Sequence, residues 1–179
     1  AISLNEIFWT KFLDNAAFFA AGNGNAIEDS GSLGLESITQ ADTAFAEQTD
    51  PDGNPLGLMP EILLVPTALK ATALQLMNSE RLIGATDGPE ANVYRGRFRV
   101  ESSPYLSNSK FTGNSATAWY LLADPNAMPV IEIAALNGRV EPVIESADAD
   151  FNTLGVQMRG FSDVGVELQE HRGGVRADG

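Results

Sequence analysis

The chain has 179 residues, enough for one domain that buries roughly 70% of its unfolded surface and so folds without staples. Hydrophobic residues make up 44% and charged residues 20%, a globular rather than disordered composition. A net charge of −13 argues against sequence-specific DNA or RNA binding, and the absence of cysteine excludes disulfides, thiolate metal sites and thiol nucleophiles and points to a reducing compartment.

Residues 2–20 place Ile7, Phe8, Phe12, Phe18 and Phe19 on one side of a predicted amphipathic helix. The segment is broken by Asn5, Glu6, Lys11, Asp14 and Asn15 and lacks a basic leader, so it is neither a signal peptide nor a membrane span. Phe8, Trp9 and Phe12 form an aromatic stripe that needs a partner surface, either within the chain or on another subunit. The Gly, Asn and Ser cluster that follows is predicted loop, and without a Gly-Lys-Ser/Thr ending it is no phosphate cradle.

From Ser37 the spacing predicts a second helix, with Ser37 and Gln40 as a capping box and Ile38, Ala41 and Phe45 on its buried face. Pro51, Gly53 and Pro55 stop it. Asp50, Asp52 and Asn54 look like part of a calcium loop, but no glycine stands at the sixth position, which argues against calcium. "EILLVP" is a continuous apolar run between Pro60 and Pro66, the mark of a strand covered on both faces. Leu69, Ala73, Leu76 and Met77 then repeat at helical spacing. A strand is thus followed by a helix with almost no loop.

The remainder reads as β. "NVYRGRFRVES" alternates Val93, Phe98 and Val100 with Arg95, Arg97 and Arg99, with a bulge at Gly96. The arginines would line one strand face, either neutralising acidic neighbours or matching an acidic patch on another copy. Ser107–Ser115, with Lys110 and Phe111, is a polar loop long enough to be mobile. Strands follow in "ATAWYLLAD" and "PVIEIAALNG", and Asn137-Gly138 is a hairpin signal into "RVEPVIE". A break at "SADAD" leads to two further strand-like pieces up to "QEHRG".

Little catalytic chemistry is legible. His171, the only histidine, is predicted exposed, and no nucleophile elbow or paired-histidine motif accompanies it. Glu132, Glu141, Glu145, Asp148 and Asp150 leave a carboxylate-based hydrolase as an alternative, and the Ser107–Ser115 loop leaves a small β-rich binding module as another. No cofactor is expected.

Taken in order, "QTDPDGNPLGLMPEILLVPTALKATALQLMNS", "NVYRGRFRVESSPYL", "ATAWYLLADPNAMPVIEIAALNG" and "FNTLGVQMRGFSDVGVELQEHRGGVRADG" resemble the major capsid proteins of tailed phages, most of all the Mu-type major head subunit group. Residues 53–79 and 119–125 carry the most specific likeness. The resemblance implies an α+β, Hong-Kong-97-type fold with a central mixed sheet flanked by helices. Residues 1–35 would be the end of the spine helix and a connector, 36–148 the axial domain, and 149–179 return strands of the peripheral domain. An arm, an extended loop and most of the spine helix would lie upstream.

It further implies a non-enzymatic structural subunit that assembles in the bacterial cytoplasm. There it joins its own copies as pentamers and hexamers of an icosahedral, DNA-enclosing virion capsid, with a scaffold or prohead protease as a further partner and no membrane association. Phe8, Trp9, Phe12, Arg95, Arg97, Arg99, Lys110 and Phe111 are the expected subunit-interface residues.

Overall fold

The computed structural model describes residues 3–28, 30–83, 89–148 and 155–179. Asp150 and part of the predicted break at "SADAD" lie outside them. In chain order the elements are α1 (Leu4–Leu13), β1 (Ala26–Ile27), α2 (Leu35–Ala46), β2 (Pro60–Pro66), α3 (Lys70–Asn78), β3 (Arg81–Ile83), β4 (Pro89–Ala91), β5 (Arg99–Ser103), β6 (Trp119–Ala123), β7 (Ile131–Ala135), β8 (Val143–Asp148), β9 (Val156–Phe161), β10 (Val164–Leu168) and β11 (Gly174–Ala177).

A five-stranded mixed sheet in the order β1-β11-β6-β2-β5 forms the centre. β2 sits inside it, parallel to β5 and antiparallel to β6, which explains why its run is apolar without alternation. The register aligns Leu63, Leu121 and Val175 across three strands, and Leu64, Tyr120 and Arg176 beside them. Because side chains alternate along each strand, the first row faces α2 and α3. There Leu63, Val65, Trp119, Leu121 and Val175 meet Ile38, Ala41, Phe45, Ala73, Leu76 and Met77 in the main core. The second row faces α1, where Leu64 and Tyr120 join Phe12, Leu13, Phe19, Leu106, Phe111 and Val130. Helices thus cover both faces of a mixed sheet, and the α+β expectation holds.

The segment from Pro60 to Asn78 folds as its pattern dictates. Pro66 closes the strand in extended geometry, a single 3-10 turn at Thr67–Leu69 reverses the chain, and α3 buries Ala73, Leu76 and Met77. Elsewhere local signals are overruled. The first helix ends at Leu13, not near residue 20, because Asn15 is buried with its side chain donating to the Phe12 carbonyl at 2.7 Å. This folds the chain back so that Phe19 enters the core from a turn. α2 starts two residues before Ser37. Ser37 is its third residue and reaches back, its Oγ accepting the Gly34 N–H at 2.9 Å. Asp50 turns its carboxylate onto the Asp52 and Asn54 backbone N–H groups, 2.9 and 2.8 Å away, and the Asn54 side chain above all lowers its pKa.

Two further expectations are corrected. Residues 93–97 form a turn rather than a strand, with Gly96 at φ +67° donating its N–H to the Met77 carbonyl at 2.8 Å. β5 therefore begins only at Arg99. Asn137 and Gly138 do adopt positive φ, yet no hairpin forms across them. β7 pairs with β10 and β8 pairs with β9 instead, since turn geometry does not choose between competing strand partners. The residues after His171, for which the sequence singles out no separate strand, form β11, inserted between β1 and β6. Gly174 fits there because a Cβ would stand only 3.0 Å from Leu122 and 3.2 Å from the Phe19 ring.

Candidate assembly surface

Five of the eight expected interface residues meet in one place. α1 begins at Ser3, whose side chain caps it by accepting the Glu6 N–H at 3.3 Å, and lies against β10, to which Lys11 is tied through Glu167 at 3.2 Å. Along its inner side Phe12 is 1% exposed and meets the Tyr120 ring edge-on at 5.1 Å. Trp9 stacks on Tyr105 at 5.5 Å, and Tyr105 in turn meets Phe111 at 5.8 Å. Phe12 and Phe111 are therefore committed to the chain's own core, whereas Phe8 and Trp9 are half-buried and keep an outward side. Burial raises the Tyr120 hydroxyl above its ordinary pKa of 10.0, because an ionised phenol would lose its water there.

The loop Ser107–Ser115 is held against this helix. Phe111 is buried, the Asn114 side chain donates to the Phe111 carbonyl at 2.7 Å, and the Ser115 N–H donates to Leu106 at 2.8 Å. Lys110 pairs with Glu6, and this contact holds the Glu6 carboxyl below its ordinary value of 4.5. A lowered folded value contributes stability above 4.5 that is lost as pH falls through the folded value. Glu6→Gln is expected to lower the urea midpoint at about pH 7, and the difference is expected to shrink as pH falls below 4.5. A difference that acidification leaves unchanged would show that the contact is not electrostatic.

The three arginines each have a different acidic partner. Arg95 pairs with Glu80 at 2.9 Å, Arg97 with Asp42 of α2 at 3.4 Å, and Arg99 with Glu101 at 3.2 Å. They do not share a strand face, because Arg95 and Arg97 belong to the turn. Each neutralises an acidic neighbour, the first of the two roles open to them from the sequence.

The candidate carboxylates that can be placed fall in two regions. Glu132 stands opposite Glu167 on the β7–β10 pair. Glu141 and Glu145 share an open groove of about 520 Å³ with Arg139 and Asp163, Glu145 being held by Arg159 at 2.6 Å. His171 is half-buried rather than exposed, with Nδ1 3.2 Å from Glu170. Among the described residues no group of three or more acidic or histidine side chains is arranged to hold a metal ion, and no helix is long and apolar enough to cross a membrane.

Sequence reasoning missed β8–β9 as a surface. Among the described residues these strands pair only with each other, every residue of β9 is exposed, and Ile144, Val156 and Met158 are among the most exposed large apolar side chains. Strand-like pieces are legible here, but not that their apolar side chains would stand exposed.

A family model described as phage capsid protein matches residues 1–177. Among solved structures, the chain is similar to a phage-related protein from Bordetella bronchiseptica, with a TM-score of 0.50 at 14% identity over 94% of this chain. The match spans 60% of that protein's length. No curated protein sequence matches the chain.

Proposed function

Because the chain belongs to the phage capsid protein family, we propose that it is the major head subunit of a tailed phage or prophage, of the Mu-type group, and builds an icosahedral shell around DNA. The observation that carries this reading is the family match along essentially the whole chain. A family of capsid proteins is structural, located in the virion, and works by association of its own copies. The net charge of −13 suits a DNA container, since repulsion keeps the genome from adhering to its wall.

The finer assignment follows the same reading. The fold is taken as Hong-Kong-97-type, with residues 36–148 as the axial domain and the flanks 1–35 and 149–179 as peripheral pieces that add β1 and β11 to the shared sheet. Phe8, Trp9 and Lys110 offer their outer sides to a neighbouring copy, with Phe12 and Phe111 supporting them from beneath. Arg95, Arg97 and Arg99 form a second contact, able to exchange their intrachain partners for acidic groups of a neighbour. Assembly takes place in the bacterial cytoplasm, with a scaffold or prohead protease as partner.

Electron microscopy of the chain expressed with the genes that neighbour its own tests the proposal. Closed shells or rings of five and six subunits are expected. Protein that stays monomeric under every assembly condition would overturn it.

A further inference from the structure

Two Asn-Gly dipeptides occur in the chain, Asn23-Gly24 and Asn137-Gly138. In this pair an asparagine side chain is open to attack by its own backbone, because the glycine that follows has no Cβ to hinder the approach of its nitrogen. The fold treats the two dipeptides differently. The Asn23 amide donates to the Ala17 and Phe18 carbonyls at 3.2 and 3.0 Å. Gly24 is fixed at both backbone groups: its N–H donates to the Ala21 carbonyl at 3.1 Å, and its carbonyl accepts from the buried Gln48 side chain at 2.9 Å. Asn137 is exposed, and among the described residues no hydrogen bond holds its amide. Gly138 has φ +69°, with nothing within 4 Å of the place a Cβ would occupy.

We propose that Asn137 is a site of spontaneous deamidation in the folded protein, while Asn23 is protected. The Gly138 backbone nitrogen gives its proton to water or hydroxide and attacks Cγ of Asn137. A bond from that nitrogen to Cγ closes a cyclic imide as the Cγ–Nδ2 bond breaks, and Nδ2 takes up a proton and leaves as ammonia. Water then opens the ring. Cleavage of the bond to Cγ gives aspartate, and cleavage of the bond to the main-chain carbonyl carbon gives isoaspartate, so the sum consumes water and releases ammonia. At φ 57° and ψ 24° the Gly138 nitrogen points away from the Asn137 side chain, and the attack therefore requires rotation about the Asn137 Cα–C bond. That rotation opens a surface turn closed by the Arg139 N–H on the Leu136 carbonyl at 3.2 Å, and it takes Asn137 out of a left-handed conformation that residues with a Cβ disfavour. At Asn23 the same rotation would break the bonds of Gly24 and of the amide together. The product adds a carboxylate to the groove where Glu141, Glu145 and Asp163 stand beside Arg139. In its isoaspartate form it also lengthens the main chain, which disrupts the turn. The Leu136 N–H is tied to the Asp163 carbonyl at 3.0 Å, so the change falls at the end of the β7–β10 pairing, next to Val164↔Ala135.

The two sites share one chain, and each is the other's control. The folded chain and the chain unfolded in urea are held side by side in mildly alkaline buffer and sampled by peptide mass spectrometry, with isoaspartate-specific methylation identifying the isomer. In the folded chain Asn137 is expected to convert at least about tenfold faster than Asn23, because it needs only local opening of a surface turn, and in urea the two rates are expected to agree within about threefold. Asn137→Gln, whose longer side chain would have to close a larger ring, is expected to remove the isoaspartate signal at this site and to keep the parent's circular dichroism. Equal rates at both sites in the folded chain, conversion of Asn23 ahead of Asn137, or an intact Asn137 over the interval in which the unfolded chain converts overturns the proposal.

Discussion

Leu76→Asp is expected to abolish folding. Leu76 is 8% exposed and lies in the core between α3 and the sheet, beside Ala73 and Met77. A carboxylate there is either ionised without a partner or protonated at a cost, and removes the apolar contacts in both cases. The loss of several kcal/mol is comparable to the roughly 5–15 kcal/mol by which such a domain is stable. Lys70→Ala and Gln75→Ala, on the exposed side of the same helix, are expected to stay within about 0.5 kcal/mol of the parent. Circular dichroism with thermal melting separates the cases. A cooperative melt of Leu76→Asp near the parent midpoint would show that α3 does not depend on this face.

Gly113→Ala is expected to have the next largest effect, although the residue is on the surface. Gly113 has φ +82°, and a Cβ there would press into the Leu13 carbonyl oxygen at the end of α1. The left-handed backbone costs an alanine about 1–2 kcal/mol, and pushing the loop off α1 adds about 1–3 kcal/mol. Gly53 separates the two contributions. Its φ is +85°, but nothing stands within 4 Å of a Cβ, so Gly53→Ala carries only the backbone cost. Urea unfolding of both variants should place Gly113→Ala clearly below Gly53→Ala. Equal midpoints would mean that the loop yields without loss and that the aromatic cluster of Trp9, Tyr105 and Phe111 does not depend on its docking.

How much of this was legible depended on whether the deciding partner was near in sequence. Residues 60–78 were legible because two prolines, an apolar run and a helical repeat all act locally. The aromatic stripe of α1 and the loop around Lys110 were each visible. Their meeting through Glu6–Lys110 and Trp9–Tyr105 was not, since about a hundred residues separate the partners. Arg95 and Arg97 looked like strand residues by alternation, and the turn that holds them depends on the Met77 carbonyl of a packed helix. Asn137-Gly138 announced its backbone geometry correctly, but local chemistry could not name the strands that would pair. β11 gave the weakest signal of all. Its four residues between glycines and an aspartate show an apolar alternation only at Val175 and Ala177, yet both are fully buried.

The place of β11 also governs the order of events on the ribosome. β1 pairs with β11, Ala26 with Arg176, and β11 is the strand that joins β1 to β6. A nascent chain can form α2, the β2–α3 unit and the β2–β6 pairing while residues 174–177 are still in the exit tunnel. Until they emerge, β1 has no partner and β6 presents an unpaired edge to any other nascent chain nearby. Contacts so distant in sequence also make closure slow. Closure of the sheet therefore waits on β11, and pairing between neighbouring nascent chains through the open β6 edge is the hazard until it arrives.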